Sequence, residues 1–227
     1  MIPNELIFLV HALAVAGVVI LAARWSQTAL VSTVVLFTLA ANLFVTKTIV
    51  LGSFVATSTD AFVIGYSLAI TLLQEYYGRA QARNAIATGF AALAAFALFS
   101  QIHLWYMPAP TDTMHAAFMT ILHVVPRLLL ASAIAYLTAE YLNTVIYTFL
   151  QKNLPVSWLL TRTYSSIIIT QFLDTVLFAL IGLYGVVTPL FSIIFVSYGI
   201  KMIMLMLTIP LLTLCKKFKL LPTAAGH

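Results

Sequence analysis

The sequence has few charged residues and a single cysteine. Only 7% of its 227 residues are charged, whereas 63% are hydrophobic. The core of a soluble domain of this length does not need so much apolar surface, which excludes an ordinary water-soluble protein. The single cysteine, Cys215, excludes an internal disulfide framework.

The sequence also lacks the common motifs of catalytic and metal sites. It contains no HExxH, GxSxG or CxxC motif and no glycine-rich phosphate loop. Its internal histidines, His11, His103, His115 and His123, are scattered, and none lies three or four residues from another histidine. We therefore expect no enzyme activity, no cofactor and no metal site.

Long hydrophobic runs are the feature that dominates the chain. Its mean hydropathy is +1.07, and runs of roughly 18 or more apolar residues are typical of membrane-spanning helices. The runs are continuous rather than alternating, which favours helices over a β-barrel. The sequence therefore predicts an all-α, polytopic integral membrane bundle of about seven transmembrane helices. The segments lie at about 4–23, 28–46, 57–77, 84–104, 116–150, 164–184 and 188–214.

The seven segments are expected to form one transmembrane domain, 1–227, because no connection is long enough to hold a soluble domain. Within it we distinguish an additional N-terminal helix at 1–27, a six-helix core at 28–215 and a basic tail at 216–227. The N-terminus lacks a basic leading region and is predicted to be a retained helix. The fifth segment is too long for one crossing, and Pro126 is expected to divide it into a lead-in, 115–127, and a spanning part from about 128 to 150.

The basic residues fall on one side of such a bundle. Seven crossings place these residues on the same face: Arg24, Arg79, Arg83, Lys152, Arg162 and the Lys216–Lys219 cluster. The opposite connections carry only Lys47. Because cytoplasmic loops are enriched in Lys and Arg, the pattern predicts an external N-terminus, a cytoplasmic C-terminus and a location in the cell (inner, cytoplasmic) membrane. The same pattern accounts for the pI of about 9.4 without nucleic-acid binding.

Acidic residues are rare, yet most of them lie within or at the edge of predicted spans. Four of the six do so, namely Asp60, Glu75, Glu140 and Asp174. An ionisable group near the bilayer centre costs at least ~2.5–3.5 kcal/mol to insert, so it should face protein or a water-filled cavity. Such groups indicate a functional site.

Two polar pairs with the same spacing occur in the fifth and sixth segments. Glu140 and Asn143 are three residues apart, as are Gln171 and Asp174, and residues at this spacing share a helix face. The two segments are antiparallel neighbours, so the sequence predicts a cluster of two carboxylates and two amides at mid-depth. Lys201, at the centre of the seventh segment, needs a carboxylate partner or a bound anion, and Asp174 is the first candidate.

Structural roles stay open for these residues. The two amides are able to join helices through hydrogen bonds worth ~0.6 kcal/mol each, and Lys201 is able to form a purely structural ion pair. Asp60 follows the polar stretch 57–59 and fits the N-terminal cap of the third segment. Glu75 and Arg79 have the i,i+4 spacing of a surface helix pair, worth ~0.3–0.5 kcal/mol.

Several short motifs occur in a fixed order between about residue 36 and residue 214. They are N-L-F-x-x-K (42–47), Asp60, L-x-x-E-Y-Y-G-R-x-x-A-R-x-A (72–85), P-R (126–127), E-Y-L-N (140–143), R-T-x-S-S with Q-x-x-D-T-x-x-F (162–178), and Lys201 with T-I-P (208–210). This ordered set resembles the queuosine-precursor transporter family, also called the vitamin-uptake transporter family. The first helix lies outside the resemblance.

The resemblance implies a substrate. The family imports 7-deazapurine bases for tRNA queuosine synthesis, namely preQ0, preQ1 and in some members queuine. The resemblance therefore implies a transporter with alternating access around a mid-membrane site. A 7-deazaguanine presents a ring N–H and an exocyclic amine beside a carbonyl, and a carboxylate accepts two parallel N–H bonds. Glu140 or Asp174 would bind that donor edge. Gln171, Asn143 or Lys201 would face the carbonyl.

We expect the substrate site to be formed by polar and aromatic side chains of several segments. The candidates are Glu140, Asn143, Gln171, Asp174, Lys201, Asn42, Asp60, Glu75, Tyr141 and Phe178. Gating or structural ion pairs are expected from Lys47, Arg79, Arg127 and Arg162. The expected partners are a small-molecule 7-deazapurine base and the lipid bilayer, and a homodimer stays open.

Two other functions stay open at this point. The chain is similar, less closely, to the substrate-binding component of energy-coupling-factor vitamin transporters, which docks on an ATP-driven module. Such docking favours a small-residue helix face, for which Ala12, Ala16 and Ala23 are candidates. The other function is a non-transporting membrane scaffold, in which substitution of Asp174 or Glu140 would alter abundance but spare uptake.

Overall fold

The computed structural model describes residues 2–155 and 159–217, with side chains described for 2–155 and 165–207. Helices make up most of this structure, together with one short β-hairpin. The helices are α1 (Asn4–Trp25), α2 (Gln27–Phe44), α3 (Asp60–Tyr77), α4 (Arg79–Leu104), α5 (His115–Leu122), α6 (Val125–Asn153), α7 (Leu159–Phe178) and α8 (Leu190–Lys217). A single π-helical turn, Ala179–Leu183, extends α7.

The described residues contain six helical stretches that are long and apolar enough to cross a membrane. They lie in α1, α2, α4, the consecutive helices α5 and α6, α7 with its π-helical turn, and α8. Helix α3 is not among them because Asp60, Gln74 and Glu75 lower its hydropathy. The protein is therefore a multi-pass helical membrane protein.

A β-hairpin lies between α2 and α3, where the sequence predicted only a connection between two helices of an all-α fold. Strands β1 (Thr48–Leu51) and β2 (Phe54–Thr57) pair antiparallel around Gly52, whose φ of +59° suits a tight two-residue turn. The β-branched residues of both strands favour extended backbone. The all-α prediction is thus wrong for this segment.

The hairpin is held at both of its edges. Asn4 of α1 donates a hydrogen bond to the Val50 carbonyl at 2.9 Å, and the Gly52 N–H donates to a Glu5 carboxylate oxygen at 2.6 Å. On the other side, the Ser192 hydroxyl of α8 accepts from the Val55 N–H at 2.7 Å and donates to its carbonyl at 2.9 Å. The hairpin therefore connects α1 to α8.

The predicted division of the fifth segment is present. Helix α5 ends at Leu122 and α6 begins at Val125, so the break lies within the predicted lead-in, 115–127. Pro126 is the second residue of α6, a position where the missing proline N–H removes no intrahelical hydrogen bond.

Helices α1, α2 and α3 share one packed core. The buried residues Val15, Val34 and Leu72 belong to it, and Ala16 packs against it. A Cβ atom on Gly65 of α3 would lie 2.0 Å from the Val15 Cγ1, so only glycine permits this approach of α1 to α3. The small residues of α1 that suggested a docking face thus serve packing within the chain: Ala23 is only 3% exposed.

Candidate functional site

The helices surround a cavity of about 590 Å³, a size typical of small-molecule sites. Helices α2, α3, α4, α6, α7 and α8 line it with side chains at helical spacing. On α3, the lining polar residues are Asp60, Ser67, Thr71 and Gln74, which recur at seven, eleven and fourteen residues from the first. Since an α-helix rises 1.5 Å per residue, this stripe is roughly 21 Å long.

The two ends of the cavity differ in exposure. At one end, which we call the closed end, every named lining residue is buried: Asn42, Val45, Thr57, Thr59, Asp60, Leu183 and Ile193. Val55 of the hairpin packs against the buried cluster there. At the opposite end, which we call the open end, the lining residues Gln74 and Glu140 are exposed.

An ion pair joins α7 to α8 between these ends. The Lys201 ammonium lies 2.6 Å from the Asp174 Oδ2 and donates a second hydrogen bond to the Thr175 hydroxyl at 3.0 Å. The two charged side chains are only 19% and 24% exposed. The partner predicted for Lys201 is therefore the one that the structure has.

Asp60 occupies the closed end, where it is 4% exposed. Its Oδ1 accepts a hydrogen bond from the Ser197 hydroxyl at 2.8 Å, and no described residue bonds its buried Oδ2. The predicted helix cap is not formed: the N-cap residue is Thr59, and it makes no capping bond. Instead the Thr59 hydroxyl donates to the Thr57 hydroxyl at 3.1 Å.

The repeated polar pairs of α6 and α7 also line the cavity. Glu140, Asn143, Gln171 and Asp174 all do so, but Glu140 lies at the exposed open end rather than in the mid-depth cluster that the sequence predicted. Within the described part of the chain, no side chain bonds the Glu140 carboxylate, and the buried Asn143 Oδ1 has no partner. Because a buried acceptor without a partner costs free energy, the cavity is suited to a ligand or water that donates hydrogen bonds.

Aromatic side chains supply the flat surfaces of the cavity. The candidate Phe178 lines it, and so do four aromatic residues that were not among the candidates: Phe37, Tyr66, Phe90 and Tyr136. The rings of Phe90 and Tyr136 lie 5.5 Å apart. Tyr136 was recognisable from the sequence, because it lies one helical turn before Glu140 on the same face.

Several candidates lie elsewhere. Tyr141 is 70% exposed and outside the cavity, because one residue of helix turns its side chain about 100° away from Glu140. Glu75 is exposed and also outside the cavity lining. Gly78, with φ +84°, ends α3 between Glu75 and Arg79, so the two do not share one continuous helix.

The basic residues predicted to form ion pairs have other positions. Lys47 and Arg79 are exposed. The Arg127 guanidinium donates to the carbonyls of Ile181 and Tyr184, at 2.7 Å each, and so holds the end of the π-helical turn against α6. The side chain of Arg162 lies outside those that the structure describes.

Among the side chains that the structure describes, four charged ones line the cavity. They are Asp60, Glu140, Asp174 and Lys201, so the lining carries three carboxylates and one ammonium. Amides at Asn42, Asn143 and Gln171 add donors and acceptors. This set suits a flat, polar molecule that donates several hydrogen bonds, with aromatic rings against its faces.

Comparison with known proteins gives two matches. The sequence profile of the family described as "Putative vitamin uptake transporter" matches residues 61–215. A protein of Bacillus subtilis (strain 168) named "Probable queuosine precursor transporter" is 31% identical over 183 residues, which cover 79% of this chain and 80% of the relative. No solved structure matches the chain at a significant level.

Proposed function

This chain belongs to the vitamin uptake transporter family, and we propose that it imports queuosine precursors, the 7-deazapurine bases preQ0, preQ1 or queuine, across the cell membrane. The observation that carries the proposal is the cavity of about 590 Å³, with its unpartnered carboxylate and amide acceptors. The name of the Bacillus subtilis relative supports the substrate class.

The proposed topology has seven crossings, with α3 as the seventh beside the six more apolar stretches. Helix α3 runs from the closed end to the open end of the cavity, and polar residues inside a bundle are tolerated where they line a cavity. The basic Arg79 and Arg83 lie just beyond the open end of α3. By the positive-inside rule, the open end then faces the cytoplasm and the hairpin faces outward.

In this topology the structure corresponds to an inward-open state. The substrate would enter from outside when the hairpin and the closed-end cluster separate, and it would leave past Gln74 and Glu140. Such alternation around one central site is the expected behaviour of secondary transporters.

Different residues along the cavity would bind different edges of the base. Glu140 has both carboxylate oxygens available and is suited to the ring N–H and exocyclic amine of a 7-deazaguanine. Gln171 is suited to the carbonyl, and the Asn143 Oδ1 accepts a further N–H. Tyr136 and Phe178 would stack on the ring, at ~1–3 kcal/mol per stacked base.

The proposal is tested in cells that cannot make the precursor. Expression of this chain should restore queuosine in tRNA when preQ0, preQ1 or queuine is supplied, and each base should be offered separately. Rescue by none of the three, with the protein present in the membrane, would contradict the proposed substrate.

Dependence on an ATP-driven partner is tested with the purified chain. Uptake into liposomes that contain this protein alone is expected, because the small-residue face of α1 is occupied by α2 and α3. Uptake that appears only after addition of an ATP-driven module would contradict autonomous transport.

A further inference from the structure

At the closed end of the cavity, only one of the two carboxylate oxygens of Asp60 has a hydrogen-bond partner among the described residues. Resting on the proposed function, we propose that Asp60 and Ser197 form a subsite for a protonated amine on the substrate. The transporter would therefore select 7-deazaguanines that carry an aminomethyl cation over those that carry a neutral nitrile.

The hydrogen bonding of the Asp60 carboxylate favours an ammonium group. Ser197 satisfies one oxygen of Asp60, while the other is buried without a partner in the described part of the chain. The Thr59 hydroxyl donates to Thr57, and Thr57 lies close enough to stabilise the carboxylate but forms no hydrogen bond to its Oδ2. A primary ammonium has three donors and no acceptor, so it matches the vacant Oδ2. A nitrile offers only an acceptor and would leave that oxygen unpaired.

The charges around Asp60 also favour a cation at this end of the cavity. Lys201 lies one turn after Ser197 on α8, but its ammonium is bound to Asp174 and Thr175. When Asp60 is ionised, two carboxylates share this one ammonium, which also attracts Asp60, so one negative charge remains in excess at the closed end. Because a buried charge needs a partner, one further positive charge is favoured there. The N-terminus of α3 stabilises the carboxylate but leaves its Oδ2 open.

The position of Asp60 in the cavity also suits an amine that enters first. Asp60 lies at the blind end of a cavity whose other end is open, about 21 Å away along α3. The aromatic Tyr66 and Phe178 line the stretch between. A base is shorter than this distance, so it would contact Glu140 on its way through the open end and Asp60 only at its deepest position, with its ring against these aromatic groups.

The test compares uptake of the aminomethyl and nitrile bases by the wild-type protein and by Asp60→Asn. The wild type should prefer the aminomethyl base on the order of tenfold or more, the factor expected for one charge-assisted hydrogen bond. Asp60→Asn should lose most of that preference, because uptake of the aminomethyl base should fall several-fold more than uptake of the nitrile base. The matched control is Asp112→Asn, an exposed residue between α4 and α5, which should keep the wild-type ratio.

The outcomes separate this inference from the proposed function. Equal uptake of both bases by the wild type overturns the amine subsite but leaves queuosine-precursor import intact. Uptake of neither base overturns both. Loss of both bases to the same degree in an Asp60→Asn protein of normal abundance also overturns the subsite, because it assigns Asp60 to coupling or structure. If Asp60→Asn does not accumulate, the wild-type ratio alone decides.

Discussion

Each end of the cavity has a carboxylate, but the two carboxylates differ in burial and in hydrogen bonding. At the closed end, Asp60 is buried under a hairpin and has one oxygen bonded. At the open end, Glu140 is exposed and unbonded by the described side chains. Between them Asp174 is neutralised by Lys201. The closed end thus encloses its carboxylate in protein, whereas the open end leaves its carboxylate accessible.

The largest effect is expected at the Lys201–Asp174 ion pair, which lies between the two ends of the cavity. Lys201→Met leaves Asp174 without its cation, and loss of one partner from a partly exposed pair of this kind should cost about 2–4 kcal/mol. We expect low abundance in the membrane, measured by immunoblot and by detergent-extracted gel filtration. The double variant Lys201→Met, Asp174→Leu should recover abundance but not uptake. Normal abundance and uptake of the single variant would contradict this role.

The closed end should also depend on how closely α3 approaches α1. Gly65→Ala would force its methyl group against Val15, at a cost of about 2–3 kcal/mol for an overpacked site. Thermal unfolding in detergent should report this loss. Gly17→Ala is the matched control, because a Cβ there has nothing within 4 Å. Addition of Val15→Ala to Gly65→Ala should restore only part of the stability, because the new methyl group would still lie 2.7 Å from the Phe37 Cε2. No recovery at all would show that the steric argument is wrong.

Ser192 should control how often the closed end opens. Ser192→Ala removes both bonds to Val55, and a loss of about 1–2 kcal/mol changes a population by roughly 5–30-fold. Labelling of Thr57→Cys by an impermeant maleimide, in a Cys215→Ser background, measures the opening from outside. The rate should rise in Ser192→Ala but not in Ser53→Ala, whose side chain is exposed at the turn. Equal rates in both would mean that the Ser192 bonds do not hold the hairpin.

The smallest effect is expected at the open end. Glu140→Gln keeps an acceptor but loses its charge, which should raise the KM for uptake about fivefold, or about 1 kcal/mol. Glu75→Gln, an exposed acid outside the cavity lining, should leave the KM unchanged. If both variants shift the KM equally, the effect comes from overall charge and not from the cavity.

Periodicity and polarity predicted much of this site. The i,i+3 pairs of α6 and α7 line one cavity because helical spacing places them on one face regardless of tertiary detail. The Lys201–Asp174 pair followed from the cost of an unpaired charge in a membrane. The same reasoning applied to α3 would have found Ser67 and Thr71, which follow Asp60 at helical spacing.

Other features depend on tertiary context. The hairpin was missed because residues 47–56 were assigned to a connection between two spans, although the Gly52–Ser53 turn between two short runs with β-branched residues was a signal for it. Tyr141 was placed in the site for its nearness in sequence to Glu140, but adjacent helical residues face different directions. The bonds of Arg127 to the carbonyls of the π-helical turn depend on backbone geometry that no sequence pattern specifies.

The central claim is that the substrate occupies this cavity. Ala139 lines the cavity, and Tyr141, two residues later on α6, faces away from it. In a Cys215→Ser background, the rates of N-ethylmaleimide modification of Ala139→Cys and Tyr141→Cys should be measured with and without preQ1. We expect preQ1 to slow modification at position 139 and to leave position 141 unchanged. An unchanged rate at position 139, with uptake of preQ1 intact, would contradict the claim.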